Sequence, residues 1–286
     1  MNDNTGRRKV RKVHYRLSVV FFGAVLIFGL MFYKYMKTVS LEDVLSQDRT
    51  ITVFNSKDDV TGQPSNSGDS ADQDDSNQPS EPVEIINPVP ECESVGEDYL
   101  SDCVFIGDSI TYGLSSYGVV PSSNVLASVA MSISRVETEQ IDTAYGSLTV
   151  LEALDKIKPE NIYIMLGSNG AAYMTVADMY QSYQAFLNKV RIACPDAKLY
   201  IISAPPVTEG KENSNESPIK NSVLDELNSK LLEYADNNGV YYLDMNSALK
   251  NELGYLPADY AENDGMHLKY STYTEFIDYI LTHVAK

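Results

Sequence analysis

The sequence predicts an α/β fold, a three-layer α/β/α sandwich built on a five-stranded parallel sheet. Three observations predict it. Short, continuously apolar runs recur in residues 99–286, longer amphipathic segments lie between them, and the two kinds of segment alternate. Continuous apolar runs are typical of strands that are buried on both faces. Alternating strands and helices are typical of a parallel sheet covered by helices.

The five predicted strands are five residues long and largely apolar. They are Cys103 to Gly107, Val125 to Val129, Ile162 to Leu166, Leu199 to Ser203 and Val240 to Asp244. We expect them to pair as parallel neighbours because helical patterns separate them.

Three helices are predicted from apolar stripes and end signals. Thr175 to Ala193 opens with Thr-x-x-Asp, a variant of the capping box. Ile219 to Asn237 follows a Ser-Pro pair and stops before Gly239. A last helix is expected from about Thr272, with Glu275 at the capping-box position.

The chain before the predicted domain has a different composition. Residues 1–16 carry six basic side chains, and residues 17–33 carry no charge. Seventeen helical residues span roughly 25 Å, enough for a short membrane helix. We therefore predict a signal-anchor helix at 17–33 with a cytoplasmic basic tail at 1–16. The alternative, a cleaved signal peptide, is disfavoured because no small-x-small cleavage site follows the apolar run.

Residues 34–98 are predicted to form an acidic stalk of low complexity, with the folded domain at 99–286. From Ser56 to Asp98 there are 12 acidic side chains and one lysine. Such a composition buries too little apolar surface to fold. With the N-terminus in the cytoplasm, the domain is expected outside the cell, attached to the cell membrane by a single span.

Charge and cysteine content exclude several classes of protein. The net charge of −18 argues against nucleic acid as a partner. Three cysteines are too few for a disulfide scaffold, and their spacing indicates no zinc site. An extracellular location permits a Cys92–Cys103 bridge, but the expected burial of Cys103 disfavours it.

Polar residues that can perform acyl transfer follow several of the predicted strands. Ser109 follows the first strand and Asn169 the third, and Asp264 and His267 precede the last helix. Parallel strands bring their carboxyl ends to one edge of the sheet, where ligands bind. A nucleophile, a base with a nearby carboxylate and an amide donor are the groups that acyl transfer requires.

Three blocks of this sequence resemble the GDSL/SGNH hydrolases, which have a flavodoxin-like fold. The blocks are Phe105-Ile106-Gly107-Asp108-Ser109-Ile110-Thr111, Gly167-Ser168-Asn169 and Asp264-Gly265-Met266-His267-Leu268. They occur in the family's order, and the resemblance extends from Tyr99 to Ile280. Each block alone is a weak signal, but the three together on this strand pattern are specific.

The resemblance implies a role for each matching residue. Ser109 would be the nucleophile, His267 the general base and Asp264 the carboxylate that orients the imidazole. The oxyanion hole would consist of the backbone N–H groups of Ser109 and Ala130 and the side-chain amide of Asn169. No metal and no cofactor are expected.

The resemblance also implies supporting residues. Asp108 would fix the turn that presents the nucleophile, without acting as the triad acid. Gly107 and Gly113 would permit a tight turn and close packing. Gly167 opens the Gly167-Ser168-Asn169 block.

Two departures from the family's pattern affect the predicted oxyanion hole. Ala130 stands where the family usually has glycine, and its methyl group disfavours positive φ. Gly170 stands directly after the Gly167-Ser168-Asn169 block, where the family usually has an acidic residue. Neither change removes a catalytic atom, so activity is still expected.

The expected protein is an extracytoplasmic serine esterase that removes small acyl groups from cell-surface carbohydrate. Acetyl is the acyl group that we expect. Its partners would be an acylated small molecule or glycan and, through residues 17–33, the membrane. The loop from Ala204 to Ser217 is expected to select the substrate. An acyltransferase would use the same residues, and a non-catalytic surface binding domain is a further alternative. A nucleotide or flavin binder is disfavoured because the loop after the first strand lacks phosphate-binding glycines.

Overall fold

A five-stranded parallel sheet lies at the centre of the computed structural model, which describes residues 85–215 and 217–285. Its strands are β1 Cys103–Gly107, β2 Val125–Ala127, β5 Asn161–Met165, β6 Lys198–Ile202 and β7 Tyr241–Leu243. They run in the order β2-β1-β5-β6-β7, and every neighbouring pair is parallel. The predicted α/β class and five-stranded parallel sheet are therefore confirmed.

A small antiparallel hairpin was absent from the sequence prediction. It consists of β3 Ile141–Thr143 and β4 Gly146–Leu148, which pair with each other and lie outside the main sheet. β2 is also shorter than predicted, since it ends at Ala127 instead of Val129. The chain turns away there, and the Ser128 hydroxyl donates to the Glu139 carboxylate at 3.0 Å.

Seven helices and three 3-10 turns connect the strands of the described chain. The helices are α1 Ser109–Ser116, α2 Val150–Ile157, α3 Val176–Ala193, α4 Glu209–Glu212, α5 Asn221–Asn238, α6 Met245–Leu249 and α7 Tyr270–Leu281. The 3-10 turns are Glu97–Asp102, Ser122–Asn124 and Gly170–Ala172. Every residue of β1 and β5 is buried, as expected for a sheet covered on both faces.

The predicted ends of α3 and α5 are confirmed to within two residues. The Thr175 hydroxyl caps α3 by accepting a hydrogen bond from the backbone N–H of Asp178 at 3.1 Å. α5 ends at Gly239, which adopts the left-handed conformation with φ +62°. Glycine is favoured there because it has no Cβ.

α7 begins two residues before its predicted start at about Thr272, and its predicted capping box is absent. The helix begins at Tyr270, and its N-cap Lys269 makes no side-chain cap. Thr272 lies within the first turn, and its hydroxyl donates to the backbone carbonyl of Tyr260 at 2.9 Å. Glu275 does not complete a capping box, and its carboxylate hydrogen-bonds the Tyr260 hydroxyl, which raises that group's pKa.

An aromatic ladder crosses the sheet through four neighbouring strands. The rings of Phe105, Tyr163, Tyr200 and Tyr241 stack in strand register, with adjacent centroids 5.1, 4.4 and 5.0 Å apart. The hydroxyl groups of Tyr99 and Tyr163 hydrogen-bond at 2.7 Å. Cross-strand aromatic pairs stabilise the register of β1, β5, β6 and β7.

The folded part begins upstream of the boundary expected at Tyr99. The Asn87 side chain accepts from the backbone N–H of Tyr242 at 2.7 Å, and the Val89 N–H donates to the Tyr242 carbonyl at 2.8 Å. This segment covers the exposed edge of β7, an edge that would otherwise offer unpaired backbone groups. Residues 85–98 of the predicted stalk therefore pack on the domain.

The predicted tail at 1–16, the signal anchor at 17–33 and the stalk at 34–84 lie outside the described residues. Within 85–215 and 217–285, no helix has the length and apolarity that crossing a membrane requires.

The described cysteines are not bridged. Cys103 is fully buried, and its thiol faces the backbone carbonyl of Tyr99 at 3.2 Å. Cys92 instead faces the carbonyl of Val284. Burial raises the pKa of the Cys103 thiol to about 12, so it is held in the unreactive thiol form.

Candidate active site

Ser109 is the first residue of α1, directly after the tight turn that ends β1. The Asp108 carboxylate caps the helix by accepting from the backbone N–H of Ile110 at 3.0 Å. A Cβ on Gly107 would lie 1.9 Å from the Thr111 hydroxyl oxygen and 2.5 Å from the Met165 carbonyl. Only glycine fits this turn, and the turn places Ser109 at the carboxyl edge of the sheet.

The Asp108 carboxylate is buried, with 2% of the residue exposed. Burial raises its pKa to about 6, although the hydrogen bond from Ile110 and the nearby His267 both lower it. Asp108 makes no hydrogen bond to His267 within the described chain. Its position therefore suits a residue that fixes the turn.

Ser109, His267 and Asp264 form a continuous hydrogen-bonded series. The Ser109 Oγ lies 2.8 Å from His267 Nε2, and His267 Nδ1 lies 2.5 Å from Asp264 Oδ2. The other Asp264 oxygen accepts from the backbone N–H groups of Met266 and His267 at 3.0 and 3.1 Å. Partial burial raises the pKa of Asp264, but these hydrogen bonds outweigh it and hold the pKa below its ordinary value.

The segment that carries Asp264 and His267 is supported by the loop after β6. Gly265 has φ +74°, and a Cβ there would lie 2.3 Å from the Thr208 hydroxyl oxygen. The Thr208 N–H donates to the Gly265 carbonyl at 2.9 Å. The loop from Ala204 to Ser217, expected to select the substrate, thus packs against the back of the His267 segment.

Asn169 lies at the same edge, but its amide hydrogens are already engaged. The side-chain nitrogen donates to the backbone carbonyls of Val129 and Met131 at 3.3 and 2.9 Å. The opposite orientation of the amide would place its oxygen against two carbonyl oxygens, so the hydrogen bonds fix the assignment. Asn169 therefore holds the loop after β2, which contains Ala130.

Two backbone N–H groups at this edge remain available as donors. The Ser109 N–H lies in the first turn of α1, where helical N–H groups have no partner within the helix. The Ala130 N–H makes no hydrogen bond within the described chain. Among the described non-glycine residues only Lys158 has a positive φ, so alanine is accommodated at position 130 without that strain.

A cluster of three hydroxyl groups joins the loop after β2 to the loop after β5. Tyr173 Oη donates to Ser132 Oγ at 2.6 Å and lies 3.1 Å from Ser134 Oγ, and the two serine oxygens are also 3.1 Å apart. No sequence signal indicates this cluster, because a tyrosine and two serines about 40 residues apart form no recognisable pattern. The cluster and Asn169 together fix the loop of Ala130.

Packing explains the glycines Gly167 and Gly170 on either side of Asn169. A Cβ on Gly170 would lie 2.7 Å from the Met179 sulfur, so a larger residue would require the buried Met179 side chain of α3 to shift. A Cβ on Gly167 would lie 3.0 Å from the Ala204 Cβ. The missing acidic residue at position 170 thus reflects close packing against α3.

This arrangement has the parts of an acyl-transfer site. It supplies a hydroxyl, an imidazole and a carboxylate in series. The backbone N–H groups of Ser109 and Ala130, which are unpaired within the described chain, follow the neighbouring strands β1 and β2. Within the described residues, no group of three histidine, cysteine, aspartate or glutamate side chains could hold a metal ion.

Three solved structures of low sequence identity are similar to this chain. A candidate platelet activating factor from Streptococcus pneumoniae is 20% identical, with a TM-score of 0.50 over 64% of this chain and 89% of the other. A GDSL-like lipase from Bacteroides thetaiotaomicron is 16% identical, with a TM-score of 0.47 over 63% and 86%. A mutant acetyl-xylooligosaccharide esterase from Geobacillus is 15% identical, with a TM-score of 0.45 over 64% and 94%.

The sequence itself matches one family description. No curated protein matches it, but the GDSL-like Lipase/Acylhydrolase family matches residues 105–274, more than half of the chain. The matched range contains the turn of Ser109 and the segment of His267. The chain therefore belongs to the GDSL-like lipase/acylhydrolase family.

Proposed function

We propose that this protein is a serine esterase that hydrolyses small acyl esters, acetyl first, on cell-surface carbohydrate. The observation that carries the proposal is the hydrogen-bonded series from Ser109 Oγ through the His267 ring to Asp264 Oδ2, at 2.8 and 2.5 Å. A serine that merely capped a helix would have no reason to face an imidazole held by a carboxylate.

The first half of the reaction forms an acyl-enzyme. Ser109 Oγ attacks the ester carbonyl while His267 Nε2 takes the hydroxyl proton, and Asp264 stabilises the resulting imidazolium. The negative oxygen of the tetrahedral intermediate accepts hydrogen bonds from the backbone N–H groups of Ser109 and Ala130. The intermediate then expels the sugar oxygen, which takes the proton from His267.

The second half of the reaction releases the acid. A water molecule gives a proton to His267 and attacks the acyl carbon. The second tetrahedral intermediate then collapses to the free acid, and the expelled Ser109 Oγ takes that proton back from His267. In an acyltransferase a sugar hydroxyl would replace this water, with the same residues in the same roles.

Asn169 is the third proposed donor of the oxyanion hole. In this structure its amide hydrogens face the carbonyls of Val129 and Met131. Because the bond to Val129 is the longer one at 3.3 Å, it is the one that we propose exchanges for the developing oxyanion. The bond to Met131 would keep the amide in place.

The proposed location supports the proposed substrate. A signal anchor at 17–33, with its basic tail in the cytoplasm, would hold the domain outside the cell membrane. A tethered extracellular enzyme acts on what surrounds it, and glycans are abundant there. The acidic and polar character of the chain past residue 33 favours a hydrophilic substrate over a lipid.

The test compares the full chain, purified in mild detergent, with Ser109→Ala. Acetate release is followed from p-nitrophenyl acetate and from O-acetylated cell-wall glycans. The parent is expected to hydrolyse both, and Ser109→Ala is expected to lose about 10³-fold or more in kcat. Ser229→Ala is the matched control, since it removes a hydroxyl that only bonds a helical carbonyl in α5.

Equal background rates for folded parent and folded Ser109→Ala on every ester would contradict the proposal. The non-catalytic binding domain would then be the better account.

A further inference from the structure

Two adjoining grooves lie on the β2 side of the sheet, and the nearer one is lined by Tyr112 of α1. The near groove, of about 550 Å³, lies between α1, the loop after β2 and β3. Its lining includes Tyr112, Ser116, Ser128, Val129, Gln140 and Asp142. The far groove, of about 230 Å³, extends toward the turn of the β3–β4 hairpin. Its lining includes Ser101, Asn124, Asp142, Thr143 and Tyr145.

The two grooves are continuous with each other. Ser122, Val125 and Asp142 line both of them. The two grooves therefore adjoin along β2, from α1 to the hairpin turn, and are called the cleft below.

Two residues that line the near groove are neighbours of reacting groups in the chain. Tyr112 lies three residues after Ser109 on α1, so the two residues are neighbours on the helix surface. Val129 directly precedes Ala130, whose N–H is a proposed oxyanion donor, and its carbonyl accepts from Asn169. A substrate with its ester at Ser109 would extend into this groove.

The lining of the cleft suits a neutral, hydroxyl-rich ligand. Most of its side chains carry hydroxyl, amide or carboxyl groups, and Asp142 is its single charged side chain. Within the described residues, no lysine or arginine lines either groove. A polyanion would find no cation here, and a long acyl chain would leave these polar groups without partners.

Each groove also presents an exposed tyrosine. Tyr112 is 46% exposed in the near groove, and Tyr145 is 58% exposed in the far groove. Tyrosine combines a flat apolar face with a polar tip, so it can stack on the C–H face of a sugar while its hydroxyl meets sugar hydroxyls. Two such rings along one cleft could each stack on a different sugar unit of the same chain.

Tyr145 is held at the hairpin turn by its backbone, and its ring makes no aromatic contact within the described chain. Its N–H donates to the Thr143 hydroxyl oxygen at 3.0 Å, and that hydroxyl donates to the Gly146 carbonyl at 2.8 Å. The Tyr145 ring therefore lies exposed on a hydrogen-bonded turn, where it is accessible to a ligand.

We propose that this cleft binds a neutral glycan chain several sugar units long. The acetylated unit would lie at Ser109, a neighbouring unit on Tyr112 and a more distant unit on Tyr145. The placement of the ester rests on the proposed esterase function, whereas binding of the chain does not. The enzyme would then prefer polymeric to monomeric acetylated sugars.

The kinetic test uses partially O-acetylated cello- and chito-oligosaccharides of two to six units. We expect kcat/KM to rise with chain length for at least one series. Tyr145→Ala is expected to lower kcat/KM on the longest member about tenfold through KM, the scale of one lost aromatic contact. Its rate on p-nitrophenyl acetate is expected to stay unchanged, because that ester does not reach the far groove.

The matched control is Tyr270→Ala. Tyr270 is 57% exposed, nearly the same as Tyr145, and it lines neither groove. We expect this variant to keep the parent's dependence on chain length.

A binding measurement separates the two proposals. The probes are cellohexaose and N-acetylchitohexaose, neither of which carries O-acetyl groups. Calorimetric titration into Ser109→Ala is expected to show binding of at least one, lost in the Ser109→Ala, Tyr145→Ala double variant. If no ester is hydrolysed but this binding pattern appears, the esterase proposal fails and the cleft stands. If p-nitrophenyl acetate is hydrolysed but neither series shows a chain-length or Tyr145 effect, the cleft proposal is overturned and the esterase stands.

Discussion

Replacing Asp108 by asparagine removes a buried charge while keeping the group that caps α1. The asparagine oxygen can still accept from the Ile110 N–H, which now bonds the carboxylate at 3.0 Å. Burial raises the pKa of Asp108 from 3.8 to about 6, so the folded state holds this proton more tightly than the unfolded state. Its stabilising effect is therefore complete below about pH 4 and is lost as the pH rises through 6.

The size of the effect follows from that pKa. A shift of about two units corresponds to about 3 kcal/mol of unfolding free energy between pH 4 and pH 7. Asp108→Asn does not titrate, so its stability relative to the parent is expected to rise by about that amount over the same range. The assay is guanidinium denaturation at four pH values, followed by far-UV circular dichroism.

Asp264→Asn is the matched control, because its effect has the opposite sign. The pKa of Asp264 is lowered in the folded state, so its contribution is present above the ordinary carboxyl pKa and is lost as the pH falls. The unfolding free energy of Asp264→Asn should fall furthest below that of the parent at neutral pH. A free-energy difference between Asp108→Asn and parent that stays flat from pH 4 to pH 7 would refute the reasoning.

Three further predictions concern activity and packing. Asp264→Asn is expected to lower kcat on p-nitrophenyl acetate by about 10⁴-fold, while Asp108→Asn stays within about tenfold, and similar losses would contradict the assigned roles. Gly113→Ala is expected to lower the unfolding free energy by about 1–3 kcal/mol, because its Cβ would lie 2.0 Å from a buried tyrosine hydroxyl of α7. Gly210→Ala, with open space around it, should be neutral or stabilising in the same denaturation assay. Tyr173→Phe is expected to reduce kcat several-fold with a stability loss of about 1 kcal/mol, and an unchanged kcat would show that its hydroxyl does not position the oxyanion loops.

The sheet could be predicted from sequence because its strands are buried on both faces. A strand such as Asn161–Met165 is continuously apolar apart from its first residue, so its position is clear without knowledge of its neighbours. The β3–β4 hairpin was missed because Ile141–Thr143 and Gly146–Leu148 are three residues long and largely exposed. Such strands have neither apolar length nor alternation.

Helix ends were predictable where a local residue caps or ends the helix, as Gly239 does after α5. Thr175 caps α3 as its sequence pattern indicates. α2 was overlooked although Thr149-x-x-Glu152 forms a complete capping box, a signal that could have identified it. At α7 the hydroxyl of Thr272 bonds a distant carbonyl, and no local pattern reveals such a contact.

The convergence of Ser109, Asp264 and His267 was predictable because the topology brings the carboxyl ends of parallel strands to one edge. The engagement of the Asn169 amide with Val129 and Met131 was not predictable, since it depends on the path of the loop after β2. The cleft depends in turn on the hairpin that the sequence analysis missed.

Covalent labelling of Ser109 tests the central claim most directly. A fluorophosphonate reacts with a serine only when a neighbouring base activates it. The account predicts one adduct per chain by intact mass, located on Ser109 by peptide mapping. Labelling should be abolished in Ser109→Ala and strongly slowed in His267→Ala. An adduct on another residue, or equal labelling rates in folded parent and folded His267→Ala, would contradict the account.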